Sequence, residues 1–468
     1  MLSCFTKDLN QNSIPILLLS TNQLSPWLNQ QPLNVQNWVY SNQFTANDET
    51  FCLIPDGQGG IHRVLFGLNK SNDFWSIGAL PKKLPRNSYH LEYDASFFNQ
   101  GQIEQAFLAW GLGSYQYKIS NNNNQIEYPQ LFLPHEKFNK TIEHWVQAIY
   151  WVRQLISTPA EDMGPVELSQ AAYQLHLKHG AKIELTTGED LLINNYPGIF
   201  SVGKASNRLP CLIDLKWGEE NHPKVTLVGK GVCFDTGGLN LKNSAAMRLM
   251  KKDMGGAANV LGLASVIMQQ QLPIRLRVLI PAVDNAVSGS SYRPGDILRT
   301  RKGLRIEVGN TDAEGRIVLA DALVAAAEEN PELLIDIATL TGAARVALGP
   351  EVSVYFSNNE KMATGLEKAA QKQQDPIWRL PLYQPYKRFL KSEISDCCNV
   401  PSAEYGGAIT AALFLEQFIP EGIPWAHFDI MAWNDGSLPG KPLGGEAMAI
   451  RAIFSYIENW LESFMHID

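Results

Sequence analysis

The chain has 468 residues, 45% of them apolar and 18% charged, which is more than one ordinary hydrophobic core can absorb and points to two or three domains. A surplus of 47 Asp and Glu over 39 Lys and Arg gives a net charge of −8, so no global field draws nucleic acid or an anionic membrane surface. The six cysteines contain no C-x-x-C pair, which argues against a disulfide framework or thiolate zinc site and for a reducing, cytoplasmic setting.

The start, MLSCFTKDLNQNSIPILLLS, lacks the basic residues and the apolar length of a signal peptide, and no later run approaches the ~18 apolar residues that span a bilayer. IPILLLS, FCLIPD and RVLFGL read as strands and QIEQAFLAWGLGSY as a helix. ISNNNNQIEYPQ is polar and without periodicity, the pattern of a solvated loop. TIEHWVQAIYWVRQLIS, from Thr141, has helical spacing and stops at the Thr158-Pro159 break. We therefore expect a small N-terminal α/β domain over 1–138, a linking helix over 139–164, and a larger domain over 165–468.

From about residue 165 helices and strands alternate. PVELSQAAYQLHLKHG is helical and closed by Gly180; KVTLVG, LRVLIPAV, LRIEV and LLIDIAT read as strands, with AANVLGLASVIMQQQ and IVLADALVAAAEEN as helices between them. Near-continuous apolar strands mark a sheet covered on both faces, so the larger domain is expected to be a three-layer α/β/α structure with a mostly parallel sheet. Ligands of such sheets sit beyond the carboxyl ends of the strands. KVTLVG runs into Lys230 and Asp235, LRIEV into Asp312 and Glu314, and LLIDIAT into Thr339, Thr341 and Gly342.

Asp235 and Asp253 each have an ordinary explanation, a turn former and a helix N-cap. Four carboxylates at the ends of one sheet (Asp235, Asp253, Asp312, Glu314) are another matter, because unpaired they repel one another. Divalent cations resolve the conflict, and an oxygen-rich set suits Mg²⁺, Mn²⁺ or Zn²⁺. Four carboxylates suffice for two ions about 3.5–4 Å apart. None of the nine His falls into H-E-x-x-H, which argues against a His-ligated zinc site. Lys230 fits a ligand whose amine is kept neutral by nearby cations, and Lys242 an ammonium facing an oxyanion; simple salt bridging to the carboxylates is the alternative for both. Arg316, at a helix start, fits an anion pocket, for a substrate phosphate or for a small basic oxyanion. GIFSVGKAS resembles a phosphate loop but has Ala205 where a hydroxyl is needed, and Gly444 to Glu446 reads as a turn.

VGKGVCFDTGGLNLK, KKDMGGAANV and NTDAEGRIVLADAL together resemble the motifs of the leucyl aminopeptidases, the cytosol aminopeptidase (M17) family of dinuclear metallopeptidases. RQLISTPAEDMGP, IATLTGAARVALG and EYGGAITAALFLEQF with WAHFDIMAW extend the resemblance from about residue 150 to the end. It implies two metal ions, Mn²⁺ or Zn²⁺, bridged by Asp235 and Glu314, with Asp312 completing the exchangeable site and Lys230 and Asp253 the tighter one. It also implies that Lys242 contacts the scissile carbonyl, and that Arg316, with backbone around Leu340, holds a bicarbonate acting as base. Water activated between the ions would attack the peptide bond, and the free α-amine of the substrate would ligate a metal. Met250, Thr339 and Gly342 resemble the lining of the family's pocket for the first side chain, with an apolar, Leu- or Met-like preference. A homohexamer acting on peptides in the cytoplasm is implied likewise. ISTPAED, where Asn is commoner, and Thr236, where many members have Ser, are the departures. Two-metal phosphoester hydrolysis and DNA binding are the rival readings; the motif match opposes the first and the net charge the second.

Overall fold

The computed structural model describes residues 2–9, 11–69, 74–117, 128–134 and 136–465, with side chains of 136–139 and 465 excepted. Most of the Asn-rich stretch expected to be a loop, residues 119–127, lies outside them. Two compact units are present. One comprises 1–150 with 436–443, the other 151–435 with 444–468. The division falls inside the helix Glu136–Ser157, and sequence pattern gave no hint that residues 436–443 belong with the first unit.

The first unit carries strands β1 (Phe5–Thr6), β2 (Ile14–Leu19), β3 (Phe51–Pro55), β4 (Ile61–Gly67), β5 (Ser88–Glu92) and β6 (Gln130–Phe132). They form one sheet in the order β1-β6-β5-β2-β4-β3, antiparallel at β3–β4 and otherwise parallel. Helix Gln100–Gly113 begins with Asn99, whose side chain accepts from the Gln102 N–H, while the Gln102 amide accepts from the Asn99 N–H. Segment 436–443 joins this unit where Gly440, Gly78 and the helix end at Gly113 cross closely. A Cβ on Gly78 would lie 2.5 Å from the Gly440 nitrogen and one on Gly113 1.9 Å from the Gly78 oxygen.

The second unit carries β7 (Lys182–Thr187), β8 (Cys211–Trp217), β9 (Lys224–Gly229), β10 (Gly231–Asp235), β11 (Arg275–Asn285), β12 (Ile297–Arg299), β13 (Arg305–Glu307), β14 (Leu333–Ala338), β15 (Ser353–Ser357), β16 (Ile377–Arg379), β17 (Cys397–Cys398) and β18 (Trp425–Asp429). Its main sheet runs β16-β15-β18-β14-β9-β11-β8-β7, with β10 pairing β11. The centre, β18-β14-β9-β11, is parallel, and antiparallel strands border it: β15 beside β18, and β8 then β7 beyond β11. Every residue of β14 and β18 is buried, including Asp336 and His427, which pair with each other at 2.6 Å.

Alternation along β9 shows the two covering layers. Val228 belongs to the core shared with helix Glu314–Ala327, whereas a Cβ on Gly229 would meet Ala257 and Val260 of helix Gly255–Gln269. The mostly parallel, three-layer expectation therefore holds for this unit. One strand departs from it. LRIEV is not in the main sheet: β13 pairs antiparallel with β12 and parallel with β17 in a separate three-stranded sheet. The GIFSVGKAS lookalike is mostly helix, Pro197–Gly203, and offers no phosphate loop. The turn expected at Gly444 to Glu446 is instead a short strand, Gly444–Gly445, paired antiparallel with Trp433–Asn434, and Glu446 is buried in a two-pronged ion pair with Arg153, at 3.1 Å to Nε and 3.0 Å to Nη2.

Candidate metal centre

β9 ends at Gly229, and the next residue, Lys230, keeps its backbone in the sheet by donating its N–H to the Ile337 carbonyl at 3.0 Å. Asp235 closes β10. The loop after it turns on Gly237 and Gly238, both at positive φ (86° and 63°), and brings Lys242 back over the strand ends. Asp253 lies in the short 3₁₀ turn Met250–Met254 that opens helix Gly255–Gln269. Gly256 lets that helix start against the sheet, since a Cβ there would sit 2.1 Å from the Ile337 carbonyl oxygen. Asp312 lies in the turn that follows the small sheet, and Glu314 is the first residue of helix Glu314–Ala327. A turn and a helix start, not a main-sheet strand end, thus deliver these two acids.

The four carboxylates converge. Ligand oxygens of Asp235, Asp312 and Glu314 lie within 4.8 Å of one another. Asp253 faces them across Lys230, whose ammonium is 2.7 Å from Asp253, 3.0 Å from Glu314 and 3.1 Å from the Thr339 carbonyl. Lys242 lies 2.8 Å from Asp235 and 2.5 Å from Asp312. Both lysines are therefore ion-paired. Surrounding residues aim the acids: Asp235 accepts from the Gly237 N–H and the Asn285 amide, each at 2.8 Å, and Asp253 from the Thr339 hydroxyl at 2.8 Å. Gly315 is a glycine for a local reason, because a Cβ there would stand 2.5 Å from the Lys230 Cε.

Electrostatics show how strained this crowd is. Burial, then Asp235, pushes the Glu314 carboxyl up to about 8, and burial with Asp253 raises Asp235 to about 6. Burial also works against charge on Asp253, yet Lys230 and Lys252 hold it below its ordinary value. For Lys230 burial opposes the ammonium, and Asp253, Glu314 and Asp235 outweigh it, raising its proton affinity. The neutral amine expected of a ligand thus requires divalent charge nearby to displace that proton. Glu314 Oε2 is buried without a hydrogen-bond partner, an acceptor aimed at something the side chains do not supply. A carboxylate-rich set with an orphaned carboxylate oxygen fits divalent cations.

These groups line a cavity of about 570 Å³, together with Met250, Thr339, Leu340, Gly342 and Arg316. Every candidate residue from the sequence is therefore on its wall. Arg316 is buried, donates from Nη1 to the Asn399 carbonyl at 2.7 Å, and leaves Nε without a partner; burial lowers it to about 10. The Leu340 N–H is engaged by Asp429 at 2.9 Å, so it is not a free donor towards an anion beside Arg316.

Several wall or supporting residues escaped sequence reasoning. Asp429, at the end of β18, also accepts from the Thr341 N–H (3.0 Å) and hydroxyl (2.5 Å), and its position in WAHFDIMAW at a strand end was the available signal. Asn399 accepts from the Gly309 N–H at 2.8 Å and thereby braces the turn before Asp312; nothing in its local sequence announces that. Lys252 and Arg345, to which the sequence reading assigned nothing, also line the cavity, and the KKD run places Lys252 beside Asp253.

Comparison with known proteins agrees with this geometry. Residues 150–454 match the cytosol aminopeptidase family catalytic domain, and residues 14–134 the M17 aminopeptidase N-terminal domain, a part of the chain only loosely recognisable by eye. Peptidase B of Pectobacterium atrosepticum is 40% identical over 326 residues, covering 67% of this chain and 74% of its own length. A probable cytosol aminopeptidase of Rhodopirellula baltica is 38% identical over 327 residues, covering 69% of this chain and 63% of its own length. The crystal structure of cytosol aminopeptidase from Coxiella burnetii superposes with a TM-score of 0.94 at 49% identity, over 98% of this chain and 99% of that one. The bottromycin maturation enzyme BotP in complex with Mn gives 0.85 at 28% identity, over 96% and 99%. With both domains matched and the acids, lysines and arginine gathered on one cavity, the chain belongs to the M17 cytosol aminopeptidase family of metal-dependent aminopeptidases.

Proposed function

We propose that the protein removes N-terminal amino acids, Leu- or Met-like ones among them, from peptides at a two-ion centre held by Lys230, Asp235, Asp253, Asp312 and Glu314. The convergence of Asp235, Asp312 and Glu314 within 4.8 Å, with Glu314 Oε2 lacking any partner, is the observation that carries the reading. Of these residues, Asp235 and Glu314 would serve both ions, Asp312 the exchangeable one, and Lys230 with Asp253 the tighter one. The ions, Mn²⁺ or Zn²⁺, would polarise the scissile carbonyl and lower the pKa of the attacking water.

The chain's own residues do the rest. Lys242, charged and 2.5–2.8 Å from two ligand acids, reaches the edge of the centre where oxyanion charge develops. Arg316, which lines the cavity and has an Nε without a hydrogen-bond partner, supports a small anion such as bicarbonate that would accept the proton of the water. The apolar faces of Leu249, Met250 and Ala343 support an apolar first side chain beside Thr339 and Gly342. Among the described residues no helix is long and apolar enough to cross a membrane. Cytoplasmic action, assembly as a homohexamer, the linking helix between domains and the absence of a nucleic-acid role complete the proposal.

The test is hydrolysis of leucine p-nitroanilide by chelated protein, before and after Mn²⁺ or Zn²⁺ is returned, beside the N-acetylated substrate. Metal-dependent cleavage of the free amine alone is expected. Silence with metal bound overturns the reading.

A further inference from the structure

Asn285 ends β11 and stands in register with Asp235 at the end of β10. Its side chain is fully buried. The amide nitrogen donates twice, to Asp235 Oδ1 at 2.8 Å and to the Thr311 carbonyl at 3.0 Å. Its oxygen is buried without a partner among the described residues. A flipped amide would set that oxygen against a carboxylate and a carbonyl, so the two acceptors fix the orientation. An orphaned buried acceptor is costly, and the side chain is retained for its donors.

The two acceptors belong to different segments of the centre. Asp235 leads into the Gly237–Gly238 loop that returns Lys242, and Thr311 immediately precedes Asp312. Other bonds tighten the same joint. Thr311 Oγ1 donates to the Gly237 carbonyl at 2.6 Å, and the Thr311 N–H to Asn240 Oδ1 at 2.8 Å. The Asn240 N–H answers to Thr311 Oγ1 at 2.8 Å, and the buried Tyr292 hydroxyl donates to the Thr311 carbonyl at 2.6 Å. On Asp235 the Gly237 and Asn285 donors both fall on Oδ1, and Oδ2 is the oxygen that meets Lys242 at 2.8 Å.

We infer that Asn285 is a positioning residue for the exchangeable ion, which it serves by fixing Asp235 and the Asp312 turn against each other. The inference rests on the two-ion reading above and deepens it. Asp235, Asp312 and Glu314 are the acids assigned to that ion, and two of the three depend on Asn285. The tighter ion has Lys230 and Asp253 besides, and these are held by the Thr339 carbonyl and hydroxyl on the other side of the site. Among the described residues Asn285 makes no hydrogen bond to Lys230, Asp253 or Glu314. Partners that orient metal ligands typically carry ~10–100-fold in metal affinity, and here that loss falls on one ion.

The experiment titrates Mn²⁺ into the chelated full chain by calorimetry, in wild type, Asn285→Ala and Tyr292→Phe, with a thermal melt of each metal-free protein. Wild type is expected to take two ions in separable steps. In Asn285→Ala the weaker step is expected to lose ~10-fold or more in affinity, while the tighter changes by less than ~3-fold. Tyr292→Phe removes one bond to the Thr311 carbonyl, leaves Asp235 untouched, and is expected to weaken the same step by ~2–10-fold. It decides the matter should Asn285→Ala fail to fold. A lower melting temperature with both steps weakened equally, or with both intact, marks a structural role only and overturns the inference. An unchanged weaker step in folded Asn285→Ala overturns it whatever the melt shows. A wild type that binds no pair of ions overturns the two-ion reading itself.

Discussion

Gly315→Ala tests whether the Lys230 ammonium is truly fixed. The new methyl group would lie 2.5 Å from Lys230 Cε, 2.8 Å from Nζ and 2.9 Å from Cδ. A flexible side chain would swing away at little cost. Lys230 has no such freedom, because it is buried and its ammonium holds Asp253, Glu314 and the Thr339 carbonyl at 2.7, 3.0 and 3.1 Å. Overpacking costs about 1–3 kcal/mol. Loss of one charge-assisted hydrogen bond adds about 1.5–3 kcal/mol. Replacing a helical glycine returns about 1 kcal/mol. The net is about 1.5–5 kcal/mol of destabilisation, or a fall of about 2–8 °C in the Tm of a unit this large. Calorimetric titration with Mn²⁺ is expected to show affinity reduced ~10-fold or more, since the same shift displaces Glu314. Unchanged metal affinity together with a gain in stability, the outcome of helix propensity alone, would refute the reasoning.

Four further outcomes are expected. Asp312→Ala and Glu314→Ala lose metal and activity together, while Lys242→Ala keeps its metal and loses ~10²–10³-fold in kcat; equal metal loss in all three removes the separate role of Lys242. Turnover falls in bicarbonate-free buffer and returns when bicarbonate is added, whereas Arg316→Ala is slow and indifferent to it; a wild type equally indifferent excludes the assigned base. Glu446→Ala costs about 3–5 kcal/mol in chemical denaturation by removing one side of the buried two-pronged ion pair with Arg153, and a loss under 1 kcal/mol refutes that. Asp321, raised by burial from 3.8 to about 7, binds its proton more tightly folded than unfolded. Its contribution to stability is therefore full below pH 3.8 and is lost as pH climbs to about 7, at no more than ~1.4 kcal/mol per unit. The difference in stability between wild type and Asp321→Asn should shrink or reverse from pH 5 to pH 8, and a constant difference contradicts it.

Much of the catalytic unit could be read ahead of the structure because burial on both faces leaves a plain mark. KVTLVG, LRVLIPAV and LLIDIAT are almost unbroken apolar runs, and they are β9, β11 and β14 of the parallel centre. LRIEV was misplaced for the same reason in reverse. It alternates apolar and charged residues, which is the pattern of a strand with one wet face, and β13 is exposed at Arg305 and buried at Ile306 in its small outer sheet. Its length resembled the central strands and its alternation did not, and alternation was the better guide. The antiparallel borders formed by β8 and β15 were illegible, because strand direction depends on connections and not on composition.

The site divides along a similar line. The acids Asp235, Asp253, Asp312 and Glu314 and the lysines Lys230 and Lys242 were recoverable, because like charges placed at chain turns demand a shared counter-ion and each run that carries them is short. Their supports were not, because the braces come from distant segments: Asn399 holds the turn at Gly309, and Asp429 the backbone at Leu340 and Thr341. Lys252 marks the boundary between the two cases. In sequence it is one of two adjacent lysines on a charged turn, and a solvated face is the ordinary fate of such a pair. In the structure Lys251 donates to the Ser157 carbonyl at 2.6 Å, while Lys252 turns inward to the cavity. A doublet that sends one ammonium to a carbonyl and buries the other beside the ligand acids is arranged for more than solubility. Burial lowers the Lys252 ammonium to about 8, Asp253 and Asp429 offset part of that cost, and its charge in turn helps hold Asp253 ionised.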